Sequence, residues 1–122
     1  MNKRSVGTQY EQLAAEELRK EGAVPVETNF RCRMGEIDLI YREDKYLVFA
    51  EVKYRSGSRF GSAAEAVTSA KQRKICKVAA FYLQVRGIPD GTPVRFDVIA
   101  IDGGGEGPVR IGRIRDAFPF AM

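Results

Sequence analysis

The spacing of apolar residues near the start of the chain predicts a helix. Apolar residues from Tyr10 to Leu18 recur at helical spacing. Thr8 and Glu11 have the spacing of a capping box, in which Glu11 is the third helical residue. A helix is therefore predicted to begin near Thr8 and to end at Gly22.

Strand-like patterns follow in four further places. The stretch 24–33 is predicted to be an edge strand, because Pro25 disfavours a helix and is tolerated at a sheet edge. Residues 36–54 have the pattern of two strands joined as a hairpin, and further strands are predicted at 94–101 and 109–115. The strand at 94–101 should turn one side to the core: Val94, Phe96, Val98 and Ala100.

A second helix is predicted after the Gly- and Ser-rich loop at 56–63, with Arg86 near its end and Gly87 as its stop. One stripe of this helix should face the sheet. The element order α-β-β-β-α-β-β, without internal repeats or a linker, predicts a single α/β domain over residues 1–122, with helices flanking a mixed sheet. The stripe comprises Lys71, Ile75, Val78, Tyr82 and Val85.

The hairpin carries charged residues on a face that a small protein would normally bury. Its loop is taken as residues 42–45, which places Asp38 opposite Phe49. Glu36 then lies opposite Glu51, and directly opposed residues share a face. The other face is a continuous apolar surface and is predicted to be buried. The charged face comprises Glu36, Asp38, Ile40, Leu47, Phe49, Glu51 and Lys53, and the apolar face Ile37, Leu39, Tyr41, Tyr46, Val48, Ala50, Val52 and Tyr54.

Composition narrows the chemistry that the chain can use. The 122 residues are 44% hydrophobic and 30% charged, which is typical of a soluble globular protein. The longest apolar run, 78–83, is too short to span a membrane, and the basic N-terminus lacks the apolar segment of a signal peptide, so a cytoplasmic protein is predicted. The sequence has no histidine, which excludes Ser-His-Asp and Cys-His catalysis. Cys32 and Cys76 lack the spacing of a zinc site and are predicted to be reduced thiols.

Positive charge is concentrated in the middle of the chain. The net charge is +4, and between Lys53 and Lys77 seven basic residues accompany the single acidic residue Glu65. Such a local excess attracts polyanions, although a solvated helix face would have the same composition. The basic residues are Lys53, Arg55, Arg59, Lys71, Arg73, Lys74 and Lys77.

The charged face of the hairpin has the residues of a magnesium site. In the assumed register Asp38 and Glu51 are diagonal neighbours, roughly 7 Å apart at the backbone. Mg²⁺ prefers oxygen ligands, and one or two carboxylates suffice to hold it. Lys53, two residues beyond Glu51 on the same face, could stabilise charge on a phosphate. The same three side chains could instead form a structural ion network, and their spacing does not separate the two interpretations.

Three other polar residues each allow two interpretations. Glu11 is explained by the capping box, yet it also lies within the apolar arc of its helix and could point at the sheet. Lys71 begins the apolar stripe of the second helix, so it is either a lysine that extends to solvent at a helix end or a residue that lies over the site. Asp97 alternates with core residues and is either a metal ligand or a structural hydrogen-bonding residue, of which the second is predicted.

The motif segments resemble a known nuclease family. "GEIDLI" and "VFAEVKYR", in which Glu51 lies thirteen positions after Asp38, resemble the PD-(D/E)xK nuclease superfamily. More narrowly, nearly the whole chain resembles the YraN-like family, which is similar in fold to archaeal Holliday-junction resolvases. The matching segments, in order, are "GTQYEQLAAEEL", "NFRCRMGEIDLI", "RFGSAAEAV", "KQRKICKVAAFYL", "RFDVIAI" and "IRDAF".

The resemblance implies a restriction-endonuclease-like fold and a role for each residue of the motif. Asp38 and Glu51 would hold Mg²⁺ or Mn²⁺, with the backbone carbonyl of Val52 as a third ligand. Lys53 would be the catalytic lysine. Glu11 matches an acidic residue contributed by the first helix of resolvase-like members, and Lys71 matches a basic residue of the second helix.

The function predicted from these features is metal-dependent endonucleolytic cleavage of DNA, with branched or damaged structures as candidate substrates. The resemblance also suggests a homodimer, because cutting two strands at a junction needs two sites. One alternative is a nucleic-acid-binding module on the same fold that does not cut. Another is a protein-interaction domain, which would leave the basic stretch unexplained.

Overall fold

Two helices lie on opposite faces of a five-stranded sheet. The computed structural model describes residues 3–55, 67–103 and 110–121. Within these residues, no helix is both long enough and apolar enough to cross a membrane. The elements are α1 (Lys3–Lys20), β1 (Val24–Cys32), β2 (Gly35–Glu43), β3 (Tyr46–Arg55), α2 (Ser69–Val85), β4 (Val94–Asp102) and β5 (Arg110–Ile114).

The sheet has the strand order β1-β2-β3-β4-β5. Neighbouring strands are antiparallel except for β3 and β4, which are parallel and are connected through α2. A parallel pair needs such a crossover, because its second strand must start again at the same end of the sheet. The α/β class and the predicted element order are therefore confirmed, and the arrangement is consistent with a restriction-endonuclease-like fold.

Helix α1 begins earlier than the capping-box pattern predicted. It starts at Lys3, so Thr8 lies inside the helix and does not cap it. No proline precedes Thr8, and the chain continues in helical geometry through the whole segment. The predicted end is confirmed: Gly22 has φ 96°, and the Ala23 N–H donates to the Leu18 carbonyl at 2.9 Å, as in a glycine-terminated helix.

The α1-side core lies between α1 and one face of the sheet. Most of the predicted apolar hairpin face packs here, but Tyr54 remains 41% exposed, so the prediction of a fully buried face was wrong at the end of β3. Tyr54 lies near the end of β3, where its ring stacks on Tyr10 of α1 and is not enclosed by the core. The buried residues are Ala14, Ala15, Leu18, Ala23, Leu39, Tyr41, Val48, Ala50, Ile99 and Ile101.

The α2-side core lies between α2 and the opposite face of the sheet. The predicted stripe of α2 contributes Ile75, Val78 and Tyr82, whereas Val85 is 47% exposed because the helix ends there, with Arg86 as its C-cap. The predicted side of β4 also packs here. The buried residues are Phe30, Ile37, Ile40, Leu47, Phe49, Val67, Ile75, Cys76, Val78, Ala79, Tyr82, Phe96, Val98, Ala100 and Phe118.

The outer strand β1 departs from regular geometry in two places. Its register with β2 shifts between Pro25 and Glu27, and Asn29 has φ 53°, a left-handed conformation that asparagine tolerates better than most residues. The paired positions of the two strands skip Asn29 and Asp38. Beyond this irregularity Ile37 packs in the α2-side core, not on the α1 side where simple alternation placed it.

The turn of the β2–β3 hairpin is shorter than predicted. Glu43 pairs with Tyr46, so the connection is Asp44 and Lys45 alone, with Asp44 at φ 54°. The predicted four-residue loop at 42–45 was therefore wrong. A two-residue turn with positive φ matches the twist of the strands better than a longer loop does. The pairing moves by two positions, and because side chains alternate with period two, residues keep the faces predicted for them near the turn.

Asp97 is a structural residue, as predicted. Its carboxylate is fully buried and accepts hydrogen bonds from the Tyr41 hydroxyl, from Arg95 and from the Asp116 N–H. Arg95 also binds Glu43 at 2.7 Å, so the network joins β2, β4 and the segment after β5. Cys32 and Cys76 are free thiols, which confirms the prediction made for the two cysteines.

Candidate metal and nucleic-acid site

Asp38 lies where the strands of the hairpin separate. The paired positions of β2 and β3 end at Leu39 and Ala50, and one further step of this register would place Asp38 opposite Glu51. In place of that backbone pair, the Val52 N–H donates to the Asp38 carboxylate at 2.8 Å. Asp38 therefore has no paired residue on β3, and the diagonal arrangement with Glu51 that the longer loop predicted is not formed.

Glu11 points from α1 toward the sheet and is only 7% exposed. The side-chain amide of Asn29, with its nitrogen facing Glu11, donates to both carboxylate oxygens at 2.7 and 3.1 Å. The left-handed backbone of Asn29 thus places a donor beside the helix. Of the two interpretations of Glu11, the structure favours the inward-pointing carboxylate, because the helix does not begin at Thr8.

Three carboxylates converge on the α1 side of the sheet, at the place where β2 and β3 separate. One ligand oxygen each from Glu11, Glu36 and Asp38 lies within 4.8 Å of the others. Glu36 also accepts a hydrogen bond from the Arg31 guanidinium. Such a group of oxygens matches the hard ligands that divalent cations prefer.

Burial and mutual repulsion keep two of these carboxyls protonated to unusually high pH. Burial, then the charge of Glu51, raises the pKa of Asp38 to about 8, against the hydrogen bond from Val52, which lowers it. Burial and the charge of Glu36 raise the pKa of Glu11 to about 7. Crowded carboxyls with raised pKa values bind a cation readily, because the cation relieves the repulsion that holds the protons on.

Glu51 is buried beside two ammonium groups. The Lys53 and Lys71 Nζ atoms each lie 3.6 Å from the same oxygen, Glu51 Oε1. Both lysines are half-buried, so Lys71 reaches inward from α2 to the motif and does not simply extend into solvent. The structure therefore brings Lys71 together with the two motif residues on β3.

The exposed face of α2 carries Arg73, Lys74 and Lys77. The stem of Lys74 crosses the turn between β1 and β2: a Cβ atom built at Gly35 would lie 3.3 Å from it. This places the basic face of α2 next to the strand that carries Asp38. The side chain of Arg55 and the whole of Arg59, both predicted to bind nucleic acid, lie outside the described residues.

Two residues at the site were absent from the candidates chosen by sequence. Glu36 could have been included, since it lies two positions before Asp38 in the same strand. Asn29 could not, because its part in the site depends on a left-handed backbone and on how α1 packs over β1. The asparagine itself is the only signal, as a residue that often adopts positive φ.

The donor set fits a divalent cation. Carboxylate oxygens from α1 and β2 converge, two of the three carboxyls have raised pKa values, and two lysines lie on the adjoining carboxylate. Mg²⁺ and Mn²⁺ accept such oxygens, and an ammonium group beside them can stabilise a phosphate. The arrangement can therefore hold a cation and present positive charge to a bound polyanion at one end of the sheet.

Comparison with known proteins identifies the family. The model of a family described as "Uncharacterised protein family UPF0102" matches residues 10–101. A UPF0102 protein of Lachnoclostridium phytofermentans is 46% identical over 101 residues, covering 83% of this chain and 86% of the relative. One from Vibrio parahaemolyticus is 46% identical over 104 residues, covering 85% and 86%. One from Legionella pneumophila is 48% identical over 93 residues, covering 76% and 79%. The predicted YraN-like family is thereby confirmed, and the chain belongs to the UPF0102 family.

Proposed function

We propose that the protein is a metal-dependent endonuclease that hydrolyses phosphodiester bonds in DNA, with branched or damaged DNA as its substrate. The observation that supports this most directly is the convergence of Glu11, Glu36 and Asp38 beside a carboxylate that holds two lysines. In metal-dependent phosphodiester hydrolysis the cation activates the water, and a positive group near the phosphate stabilises the charge of the transition state.

Asp38 and Glu51, with the Val52 carbonyl, would hold Mg²⁺ or Mn²⁺. When bound, the cation supplies a more acidic water and neutralises charge on the phosphate. The Val52 N–H already orients the Asp38 carboxylate through its 2.8 Å hydrogen bond. Glu36 and Glu11 complete the negative surroundings and keep the cation at this end of the sheet.

The lysines act on the phosphate in this proposal. Lys53 follows Glu51 by two residues on β3 and is held by the Glu51 carboxylate, so its ammonium group stays beside the cleavage centre. Its contribution is largest when negative charge builds on the phosphate in the transition state. Lys71 approaches the same carboxylate from α2 and shares this environment.

Glu11 is proposed to accept a proton during the reaction. It is buried, and its pKa of about 7 lets it exchange a proton near neutral pH. A carboxylate of this kind suits a general base that takes the proton of the attacking water. The Asn29 amide fixes the orientation of the Glu11 carboxylate.

The rival function is DNA binding without cleavage. The ion pairs of Glu51 with Lys53 and Lys71 also fit a purely structural cluster. A binding module, however, gains nothing from three buried or half-buried carboxylates that repel one another and would repel DNA. The crowding of Glu11, Glu36 and Asp38 therefore favours the nuclease.

The decisive experiment is a cleavage assay on linear, flapped and four-way DNA with Mg²⁺, with Mn²⁺ and with chelator. The parent protein should cut at least one substrate only when metal is present. Lys53→Ala should bind DNA nearly as well as the parent but cut it about a hundredfold more slowly, the usual scale for removing one transition-state donor.

Lys20→Ala is the matched control, because Lys20 is exposed and, within the described residues, pairs with its helix neighbour Glu17 far from the motif. It should cut at the parent rate. Tight binding without any cleavage by the parent would replace the nuclease with the binding module. Equal rates in Lys53→Ala and the parent would remove the role given to Lys53 and make Lys71 the next residue to test.

A homodimer is part of the proposal, because paired cuts at a junction need two sites. Light scattering during gel filtration should give about twice the mass of the chain, 13.6 kDa. A monomer that cuts only one strand of a four-way substrate would contradict the dimer without affecting the chemistry of the site.

A further inference from the structure

Two tyrosines stack at the rim of the candidate site. The rings of Tyr10 in α1 and Tyr54 in β3 have centroids 4.2 Å apart and an interplanar angle of 19°. The Tyr54 hydroxyl donates to the Gly103 carbonyl at 2.9 Å, so the ring is fixed both by stacking and by a hydrogen bond. Tyr54 nevertheless remains 41% exposed.

Each tyrosine of the stack is the chain neighbour of a residue of the candidate site. Tyr10 directly precedes Glu11, and Tyr54 directly follows Lys53. Because consecutive residues of a strand point to opposite faces, Tyr54 stands on the α1 side of β3 while Lys53 points the other way. An aromatic surface and a cation thus flank the same end of β3, where Lys53 lies 3.6 Å from Glu51 and Tyr10 is the chain neighbour of Glu11.

A purely structural aromatic pair would be expected to close the α1-side core. The earlier residues of β3 on this face, Val48 and Ala50, are fully buried in that core, but Tyr54 is not. Exposing a large ring that is already held in one orientation leaves an aromatic face ready for a ligand. Every DNA base offers a flat face to such a ring, and little side-chain freedom is lost on binding because the ring is already fixed.

We propose that Tyr54, supported from behind by Tyr10, stacks on an unpaired DNA base next to the phosphate held by Lys53 and the carboxylates. This inference rests on the proposed function and names the substrate class of the same site. A base inside a continuous duplex has no free face, so the stack selects DNA in which a base next to the cut is unpaired, as at flaps, junctions and lesions.

The test is binding in chelator, so that cleavage plays no part. The probes are a flapped DNA with 2-aminopurine at the unpaired position beside the branch, and a fully paired duplex with the same number of phosphates. Stacking on Tyr54 should change the 2-aminopurine fluorescence when the parent binds. Tyr54→Leu should lose that change and bind the flapped DNA about tenfold more weakly, with unaltered affinity for the duplex.

Two variants control for structure. Tyr54→Phe retains the ring but not its hydrogen bond to Gly103, and it should keep most of the affinity and the fluorescence change. Phe120→Leu removes an aromatic ring of matched exposure, 40%, which packs on Phe96 near the start of β4, at the other end of the sheet. It should bind both probes like the parent.

The stacking inference would be overturned if Tyr54→Leu lost the same affinity for both probes, or if the fluorescence change persisted in this variant. Either result would leave the nuclease proposal intact. Parent protein that binds neither probe would overturn both. Metal-dependent cutting of duplex and flapped DNA at equal rates would keep the nuclease and overturn the selectivity inferred from the stack.

Discussion

Asp38 and Glu11 hold protons more tightly in the folded protein than in the unfolded chain. Their pKa values are raised to about 8 and about 7, chiefly by burial and secondly by the charges of Glu51 and Glu36 respectively. The native state therefore binds more protons than the unfolded state from roughly pH 4 to pH 8, and the free energy of unfolding falls as pH rises through this window.

The first prediction concerns this pH dependence. Without metal, the free energy of unfolding should fall by more than about 1 kcal/mol between about pH 5 and pH 8. Asp38→Asn should flatten much of the slope, because asparagine keeps an oxygen for the Val52 N–H but does not titrate. Urea unfolding in chelator measures both proteins. The exposed Asp90→Asn should retain the parent slope, and a parent stability that rises with pH here would contradict the prediction.

The second prediction concerns metal binding. Asp38→Asn and Glu51→Gln should each abolish measurable Mg²⁺ and Mn²⁺ binding in calorimetric titration, with the fold intact by circular dichroism. Glu36→Gln should weaken binding by about ten- to a hundredfold without abolishing it, because in the proposed site Glu36 contributes to the negative surroundings and is not a ligand. Unchanged metal affinity in both of the first two variants would exclude the site as described.

For single residues, the sequence identifies the acidic residues of the candidate site but not the residues that surround them. Asp38 and Glu51 can be selected by their residue types and their spacing in the motif, whereas the shared face that alternation predicted for them is broken by the irregularity at Asp38. Glu36 lies two positions before Asp38 and could have been selected with it. The part played by Asn29 depends on a single left-handed backbone angle and on the packing of α1, and neither leaves a periodic signal in the sequence.

Helix α2 serves two purposes on two faces. Ile75, Val78 and Tyr82 bury one face against the sheet, while Arg73 and Lys77 lie exposed on the other. At its start, the Thr68 side chain caps the helix by accepting from the Lys71 N–H. This cap fixes the first turn, from which the Lys71 side chain reaches Glu51.

The third prediction separates DNA affinity from chemistry on this helix. Changing Arg73, Lys74 and Lys77 to glutamine should weaken DNA binding and reduce the salt dependence of log affinity by up to about three, one for each phosphate that is no longer neutralised. Metal affinity should not change. Arg19→Gln with Lys20→Gln, at the exposed end of α1, is the control. An unaltered salt dependence of DNA affinity in the triple variant would show that this face of α2 is solvated and does not bind DNA.

The elements were predicted best where periodicity continues over several turns or strands. The end of α1 at Gly22 and the end of α2 before Gly87 follow from glycine stops. The start of α1 could not be found in this way, because a capping-box pattern is short and is also compatible with a helix interior. The hairpin turn was missed because Asp44 takes positive φ without the glycine that usually marks such turns.

A buried ion network connects distant parts of the chain at the end of the sheet away from Glu11, Glu36 and Asp38. Arg95 binds both Asp97 and Glu43, and Arg113 of β5 approaches Glu43 at 2.9 Å. The network links the first half of the chain to its last segment, through the hydrogen bond from Asp116 to Asp97. It therefore contributes to holding β4 beside β3, on which the motif residues lie.

The fourth prediction is made for this network. Asp97→Ala should lower the free energy of unfolding by about 3–5 kcal/mol, because it removes the fully buried acceptor of the Tyr41 hydroxyl and one of the two carboxylates that bind Arg95. Chemical denaturation measures the loss, with Asp90→Asn as the exposed control. If the variant folds, its metal affinity should match the parent. A loss below about 1 kcal/mol would show that the network is dispensable for stability.

The whole-molecule arrangement was predictable only as a class. Element order indicates a mixed sheet, because a strand that follows a helix tends to lie parallel to the strand before it. The pairing of β3 with β4 across α2 is non-local, and so is the meeting of Glu11 with Glu36 and Asp38. Such contacts are determined by how faces pack against one another, which a local sequence pattern does not specify.

The irregularities of β1 also govern how copies of the protein can associate. A regular outer strand is a template onto which a second copy can add its own strand and extend the sheet. Here Pro25 lacks a backbone donor, the register shift follows it directly, and the left-handed Asn29 bends the same strand. Strand addition at this edge is disfavoured, so a second copy that docked on the β1 edge would have to rely on side-chain contacts and not on an extended sheet.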